Sequence, residues 1–258
     1  MSFIDTHTHL YADQFKEDRD LMIERAIAAG VEQFFLPNID GSSIEPMLQL
    51  EQDYPNRCFP MMGLHPCSVN ADYQKELQIV EKWLNKRPFI AVGEIGIDLY
   101  WDKTFFEEQK AAFIQQVEWA KERQIPIVIH SRESTAILIE LLKELQDGNL
   151  RGIFHCFGGS VEEAKAIIDL DFYLGIGGVL TFKKSGLAKT LESIELKHLV
   201  LETDSPYLAP SPFRGKRNES AYLLKVAEKL AEIKNISLAE IGTVTSENAR
   251  AVFGMVTK

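Results

Sequence analysis

The sequence predicts an α/β protein of the closed (β/α)8 (TIM) barrel type, with its functional site at the C-terminal ends of the strands. Three observations carry this. Eight short β-branched or apolar runs recur along the chain, separated by stretches whose apolar residues fall at helical spacing. No two runs are joined directly by a hairpin turn, which argues for parallel pairing. Dividing the 258 residues by eight gives about 32 per unit, near the size of one strand–helix repeat.

The elements follow in order. "FIDTHTHL" (3–10) is the first strand, and "EDRDLMIERAIAAG" after it reads as a helix closed by Gly30. "QFFLPNI" (33–39), "CFPMMGLH" (58–65) and "FIAVGEIGI" (89–97) are the next three strands. The helix at 106–124 places Phe106, Ala112, Phe113, Val117 and Ala120 on one face. "PIVIHSR" (126–132) and "GIFHCF" (152–157) follow; Ser160 with Glu163 three residues later signals a capped helix start. The seventh strand, "FYLGIGGV" (172–179), precedes the weakest helix, "TFKKSGLAKTLESI", and "HLVLETD" (198–204) is the eighth strand. "GIGGV" lacks the spacing of a dinucleotide fingerprint and reads as close packing. An open doubly wound sheet is the alternative architecture.

Composition bounds the rest. A chain that is 45% hydrophobic and 26% charged suits one globular domain over residues 1–258. No apolar run reaches the ~18 residues of a membrane span. No signal peptide is visible, so a cytoplasmic location is expected. Cys58, Cys67 and Cys156 are odd in number and read as reduced thiols. The net charge of −10 opposes polyanion binding unless a local basic patch or bound cations offset it.

Five of the six histidines fall at strand ends: His7 and His9, His65, His130 and His155. Glu94 lies late in the fourth strand and Asp204 ends the eighth. A parallel barrel opens all these ends on one face, so the residues would meet in one cup. Neutral imidazoles and carboxylates are the usual ligands of Zn, Mn, Fe or Co. A lone histidine ending an apolar strand is more often a satisfied core residue; it is the joint placement that counts. Alternation along the first strand puts His7, His9 and Asp5 on the inner face and Ile4, Thr6, Thr8 and Leu10 towards the helices. Asp5 and Glu202 are then candidates to orient ligating imidazoles.

The motifs "DTHTHL", "GLHP", "GEIGID", "IVIHSRES", "FHCFGGS" and "LETDSPYLAP…RGKRNE", in this order over residues 5–219, resemble the TatD family of metal-dependent hydrolases, within the amidohydrolase superfamily. The resemblance implies a (β/α)8 barrel, a metal-dependent deoxyribonuclease of the 3′→5′ exonuclease or repair type, and two divalent ions (Zn, Mn or Mg). It implies that His7, His9 and Asp204 hold the first ion, that His130 and His155 hold the second, and that Glu94 bridges them. His65 would face the substrate. Leu99 stands where the family often has tyrosine, and Ser220 where it often has proline.

On this reading Asp204, Glu94 and His65 form the catalytic group, with Asp204 orienting a water or taking its proton. His65, Arg132, Lys183, Arg214 and Asn218 are candidates for phosphate contacts, with Lys184, Lys216 and Arg217 in the same loops; a solvated loop is the plain alternative. Tyr100, Trp101, Tyr207 and Phe213 would stack on bases or pack their own loops. The expected partner is DNA, single-stranded or at 3′ ends, with no membrane; the sequence carries no mark of oligomeric state. D-aminoacyl-tRNA deacylation and small-molecule ester or amide hydrolysis are the alternatives.

Overall fold

A computed structural model describes residues 2–255. Its strands are β1 (Phe3–Asp5), β2 (Val31–Leu36), β3 (Cys58–Pro60), β4 (Val92–Asp98), β5 (Ile127–Arg132), β6 (Gly152–Phe154), β7 (Phe172–Ile176) and β8 (Leu199–Leu201). All pairings are parallel, with β1–β2–β3 and β4 to β8 as two hydrogen-bonded runs. The runs join into the predicted barrel. Between β3 and β4, Met62 N donates to Ala91 O at 3.2 Å and Gly93 N to Met62 O at 3.1 Å. Between β8 and β1, Thr6 N donates to Leu201 O at 3.0 Å and Asp204 N to His7 O at 2.9 Å.

The helices are α1 (Arg19–Ala28), α2 (Ile44–Asp53), α3 (Tyr73–Lys86), α4 (Phe106–Arg123), α5 (Thr135–Leu145), α6 (Val161–Ile168), α7 (Leu187–Glu192), α8 (Leu223–Lys234) and α9 (Leu238–Val252). The α6 start carries the full capping box: Ser160 Oγ accepts from Glu163 N, and the Glu163 carboxylate accepts from Ser160 N. The weak seventh helix survives only as the six residues of α7, after a 3-10 turn at Gly178–Thr181. Among the described residues no helix is long and apolar enough to cross a membrane.

Two apolar layers hold the barrel. The outer one lies between strands and helices and includes Phe3, Phe34, Ile95, Ile127 and Leu199. The inner one draws on every strand or its immediate flank: Ile4, Phe35, Met61, Ala91, Val128, Ile153, Tyr173 and Val200. α9 plugs the N-terminal end of this layer with Ala249, Val252 and Phe253, and Phe253 stacks on Phe35 at 4.1 Å. Filling that end with side chains leaves the opposite end for chemistry.

The inner layer corrects the alternation expected for the first strand. Ile4 belongs to it, so Ile4 points inward. Asp5 pairs with Phe34 of the outer layer and therefore points outward, not into the cup. Strict alternation fails because β1 stops at Asp5 and the chain bends through Thr6 and His7 before His7 and His9 turn inward.

Candidate metal centre

The strands set the cup from below. β4 carries the decisive irregularity: Val92 pairs with Ile127 and Ile95 with Ile129, so Gly93 and Glu94 together face the single residue Val128. Such a bulge re-aims a side chain, and here it turns Glu94 inward. Gly93 makes it feasible, because a Cβ there would lie 2.9 Å from the Val128 Cβ. Glu94, Gly96 and Asp98 then share the inner face. A Cβ on Gly96 would meet the His130 carbonyl oxygen at 1.9 Å. Glycine is thus required beside the histidine.

His7, His9, His130, His155 and Asp204 all aim at Glu94 or its surroundings. Glu94 Oε2 lies 3.1 Å from His7 Nε2 and 3.8 Å from His9 Nε2. Glu94 Oε1 lies 2.8 Å from His130 Nδ1, 3.2 Å from His155 Nε2 and 3.4 Å from His65 Nε2. Asp204 Oδ1 is 3.5 Å from His9 Nε2 and 3.8 Å from His7 Nε2. Among the described residues, three sets have ligand atoms mutually within 4.8 Å: His7, His155 and Asp204; His7, His9 and Glu94; His65, Glu94 and His130. Glu94 is shared by two of them, which suits a bridging carboxylate.

The outward ring nitrogens sort the histidines by role. His155 Nδ1 meets Glu202 Oε1 at 3.1 Å, and His130 Nε2 meets Asp98 Oδ2 at 2.8 Å. Ionised carboxylates only accept, so these nitrogens carry protons, and a cation beside Glu94 would leave the inward ones as lone pairs. Tyr11 donates its one hydroxyl proton to Pro37 O at 2.5 Å, so its oxygen accepts from His9 Nδ1 at 2.8 Å. His9 Nε2 is then also a lone pair. His65 is reversed. Its Nδ1 accepts from Cys67 N at 3.0 Å, which puts the ring proton on Nε2, facing the cup.

These residues fit a divalent cation. His130 and His155 each present both ring nitrogens to carboxylates, so each site needs a positive charge. Two doubly protonated rings would crowd charge into a buried space where His155 already stacks on His7 at 3.7 Å. Neutral rings with a cation between them and Glu94 satisfy every contact. Without a cation the rings must supply that charge themselves: burial opposes it, but Glu94 and Glu202 raise the His155 ring well above its ordinary range. Burial works to raise the Glu94 carboxyl, but His65, His155 and His7 together hold it well below the carboxylate range. Burial likewise opposes ionisation of Asp204, but in the absence of a cation the adjacent His9 ring, with His155 and His7 beside it, keeps it lowered. Burial depresses the His7 ring, with His155 adding to the effect. Burial also pushes the Cys156 thiol up to about 12, which removes it as a thiolate nucleophile.

Supporting residues divide into two kinds. Glu202 is fully buried and reaches His155, with its other contact at Cys156 N, 2.6 Å. Gly175 leaves the space its carboxylate fills, since a Cβ there would lie 2.2 Å from Glu202 Oε2; this is the close packing expected of "GIGGV". Asp5 instead braces the outer side, accepting from Thr203 N at 2.9 Å, Thr203 Oγ1 at 2.6 Å and Ser220 Oγ at 2.6 Å. Burial raises its carboxyl to about 7 despite these bonds. Ser220 thus contributes a buried hydrogen bond to Asp5.

The rim is less uniform than its sequence suggests. Arg132, Lys183, Lys184, Arg214 and Lys216 are exposed, with the Arg214 guanidinium 3.6 Å above the Phe182 ring. Arg217 is not free for substrate: it pairs through both terminal nitrogens with Asp18 at 2.7 and 2.8 Å. Asn218 is a correction. It is fully buried, its amide donates to Thr203 O and Tyr207 O, and its oxygen accepts from Glu219 N, so it braces its loop and offers nothing to a phosphate. Phe213 stacks on Tyr222 at 3.9 Å and is loop packing. Two contributors escaped sequence reasoning: Asp98 and Tyr11. Both lay within reach of it, as Glu94-x-Gly96-x-Asp98 and His7-x-His9-x-Tyr11 continue the alternation already in use.

A parallel barrel that turns so many imidazoles and carboxylates to one point at its strand ends defines a metal-dependent hydrolase. The chain belongs to the TatD family: the family model described as TatD related DNase matches residues 4–254. It is 38% identical over 250 residues to the metal-dependent hydrolase YabD of Bacillus subtilis, covering 96% of this chain and 98% of that one. It is 32% identical over 258 residues to a Salmonella typhimurium protein named 3′-5′ ssDNA/RNA exonuclease TatD, covering 98% of this chain and 99% of that one. The solved structure of the TatD homologue YJJV from Escherichia coli superimposes with a TM-score of 0.91 at 30% identity, over 98% of both chains.

Proposed function

We propose that the protein is a two-metal nuclease that hydrolyses phosphodiesters of single-stranded DNA from 3′ ends. The observation that carries this is the sharing of Glu94 between the His7–His9 set and the His130 set in one buried cup. His7, His9 and Asp204 would hold one divalent ion, His130 and His155 the other, and Glu94 both. Ions held there would lower the pKa of a water and offset charge on the scissile phosphate.

The chain's own groups do the rest. Asp204, only partly buried, orients the attacking water and accepts its proton. His65 presents Nε2–H to the cup, where it donates to a phosphoryl oxygen or to the departing oxygen. A protonated inward nitrogen cannot ligate an ion, so the tautomer favours this role over ligation even though His65 lies within the third set. Arg132, Arg214 and Lys183 on the rim would neutralise flanking phosphates, which the net charge of −10 otherwise repels. The family's description as TatD related DNase and the one relative named as an exonuclease support phosphodiesters as the substrate class.

The test is a substrate panel with the purified, metal-supplied protein. Single-stranded DNA labelled at the 5′ end should shorten stepwise, and a blocked 3′ end should slow it. Release of amino acid from D-aminoacyl-tRNA with DNA left intact would replace this reading with a deacylase.

A further inference from the structure

Five large apolar side chains are conspicuously exposed among the described residues. Leu21 and Ile79 are aliphatic and lie on α1 and α3. The other three are aromatic: Trp101 is 75% exposed, Tyr100 51% and Tyr207 47%. All three follow β4 or β8, the strands that lead to Glu94 and Asp204. Exposed aromatic surface is therefore concentrated at the mouth of the cup.

Tyr100 and Trp101 form a built unit. Their rings meet edge to face at 4.9 Å and 87°. The Arg132 guanidinium covers the Tyr100 face at 4.6 Å. The loop is held by one carboxylate: Asp98 Oδ1 accepts from Tyr100 N at 2.9 Å and Trp101 N at 3.1 Å. The other oxygen of that carboxylate contacts His130 Nε2 at 2.8 Å. Asp98 is itself 2% exposed and so is a fixed pivot. A single buried group thus sets the aromatic pair and a candidate metal ligand in one register. Beside Trp101, towards Cys67 and Asn70, a cavity of about 210 Å³ leaves room for a flat group.

We propose that Trp101 and Tyr100, with Arg132, form a nucleobase-stacking subsite that holds the nucleotide next to the scissile phosphate. This rests on the nuclease reading and assigns to these residues the selection of strands whose bases are unpaired. A duplex base keeps both faces stacked, whereas an unpaired base can lie on an exposed indole while the guanidinium meets the adjoining phosphate. Stacking tolerates every base, so the subsite selects single strands without selecting sequence.

The test compares KM for a short oligodeoxythymidylate with KM for an abasic oligomer of equal length, using the metal-supplied full-length enzyme. Wild type should favour the base-bearing strand by about ten-fold. Trp101→Ala and Tyr100→Ala should remove most of that preference, and Trp101→Phe should retain it. Melting curves matching wild type are expected, as Trp101 is exposed. A wild type with no preference, or a Trp101→Ala variant that keeps it, overturns the subsite while leaving the nuclease standing. A wild type that hydrolyses neither strand overturns both.

Discussion

The hydroxyl of Tyr11 fixes the tautomer of His9. Its proton goes to Pro37 O, so its oxygen accepts from His9 Nδ1 at 2.8 Å, leaving Nε2 unprotonated and directed at Asp204 and Glu94. Glu202 does the same for His155 and Asp98 for His130. One phenol and two carboxylates thus produce one result, a lone pair turned inward.

Tyr11→Phe removes that acceptor together with the hydroxyl's bond to Pro37 O. It should weaken metal binding by about 10- to 100-fold, read by competition with a chromogenic chelator. Activity should fall at limiting metal and recover as metal is raised. Unaltered affinity would mean that His9 keeps its tautomer without Tyr11.

His65 has the opposite tautomer and should behave oppositely. His65→Ala should retain the wild-type metal content while kcat falls by about a hundred-fold or more. Loss of bound metal in this variant would make His65 a ligand.

Arg214 and Arg217 lie three residues apart and should separate cleanly. Arg214→Ala should raise KM for oligonucleotides and flatten the salt dependence of KM by about one charge. Arg217→Ala, which breaks the bidentate pair with Asp18, should lower the melting temperature by roughly 2–4 °C and leave the salt slope alone. A salt slope that moves with Arg217 instead would relocate the phosphate patch.

Asp18 gives a pH signature to the same pair. Its hydrogen bond from Arg217 lowers its carboxyl to about 2, from 3.8. A carboxyl depressed on folding contributes stability above its unfolded pKa, and that contribution is lost as pH falls through the folded value. Asp18→Asn should therefore melt below wild type at pH 7, with the gap closing between about pH 4 and pH 2. A gap that persists at pH 2 would assign the effect to packing.

The site was legible in the sequence to the extent that barrel topology alone brings residues together. His130, His155 and Asp204 have inward places set by plain alternation from Val128, Ile153 and Val200. Where alternation breaks, reading by parity fails. Asp5 shares parity with His7 yet faces outward, because the chain bends between them. Glu94 reaches the cup through a bulge whose only trace in the sequence is Gly93. Asn218 shows a different limit: a polar residue in a basic loop invites a substrate role, but its amide is consumed by its own backbone. Arg217 is spent in the same way on Asp18, a partner from the other end of the chain that no local pattern reveals.

The central claim is that the cup around Glu94 works only with divalent metal. The most direct measurement is elemental analysis of the purified protein, paired with single-stranded DNA hydrolysis before chelation, after it, and after metal is restored. Metal should co-purify or bind, hydrolysis should vanish on chelation with circular dichroism unchanged, and restored metal should return the rate. A metal-free protein that digests DNA at the undiminished rate would contradict it.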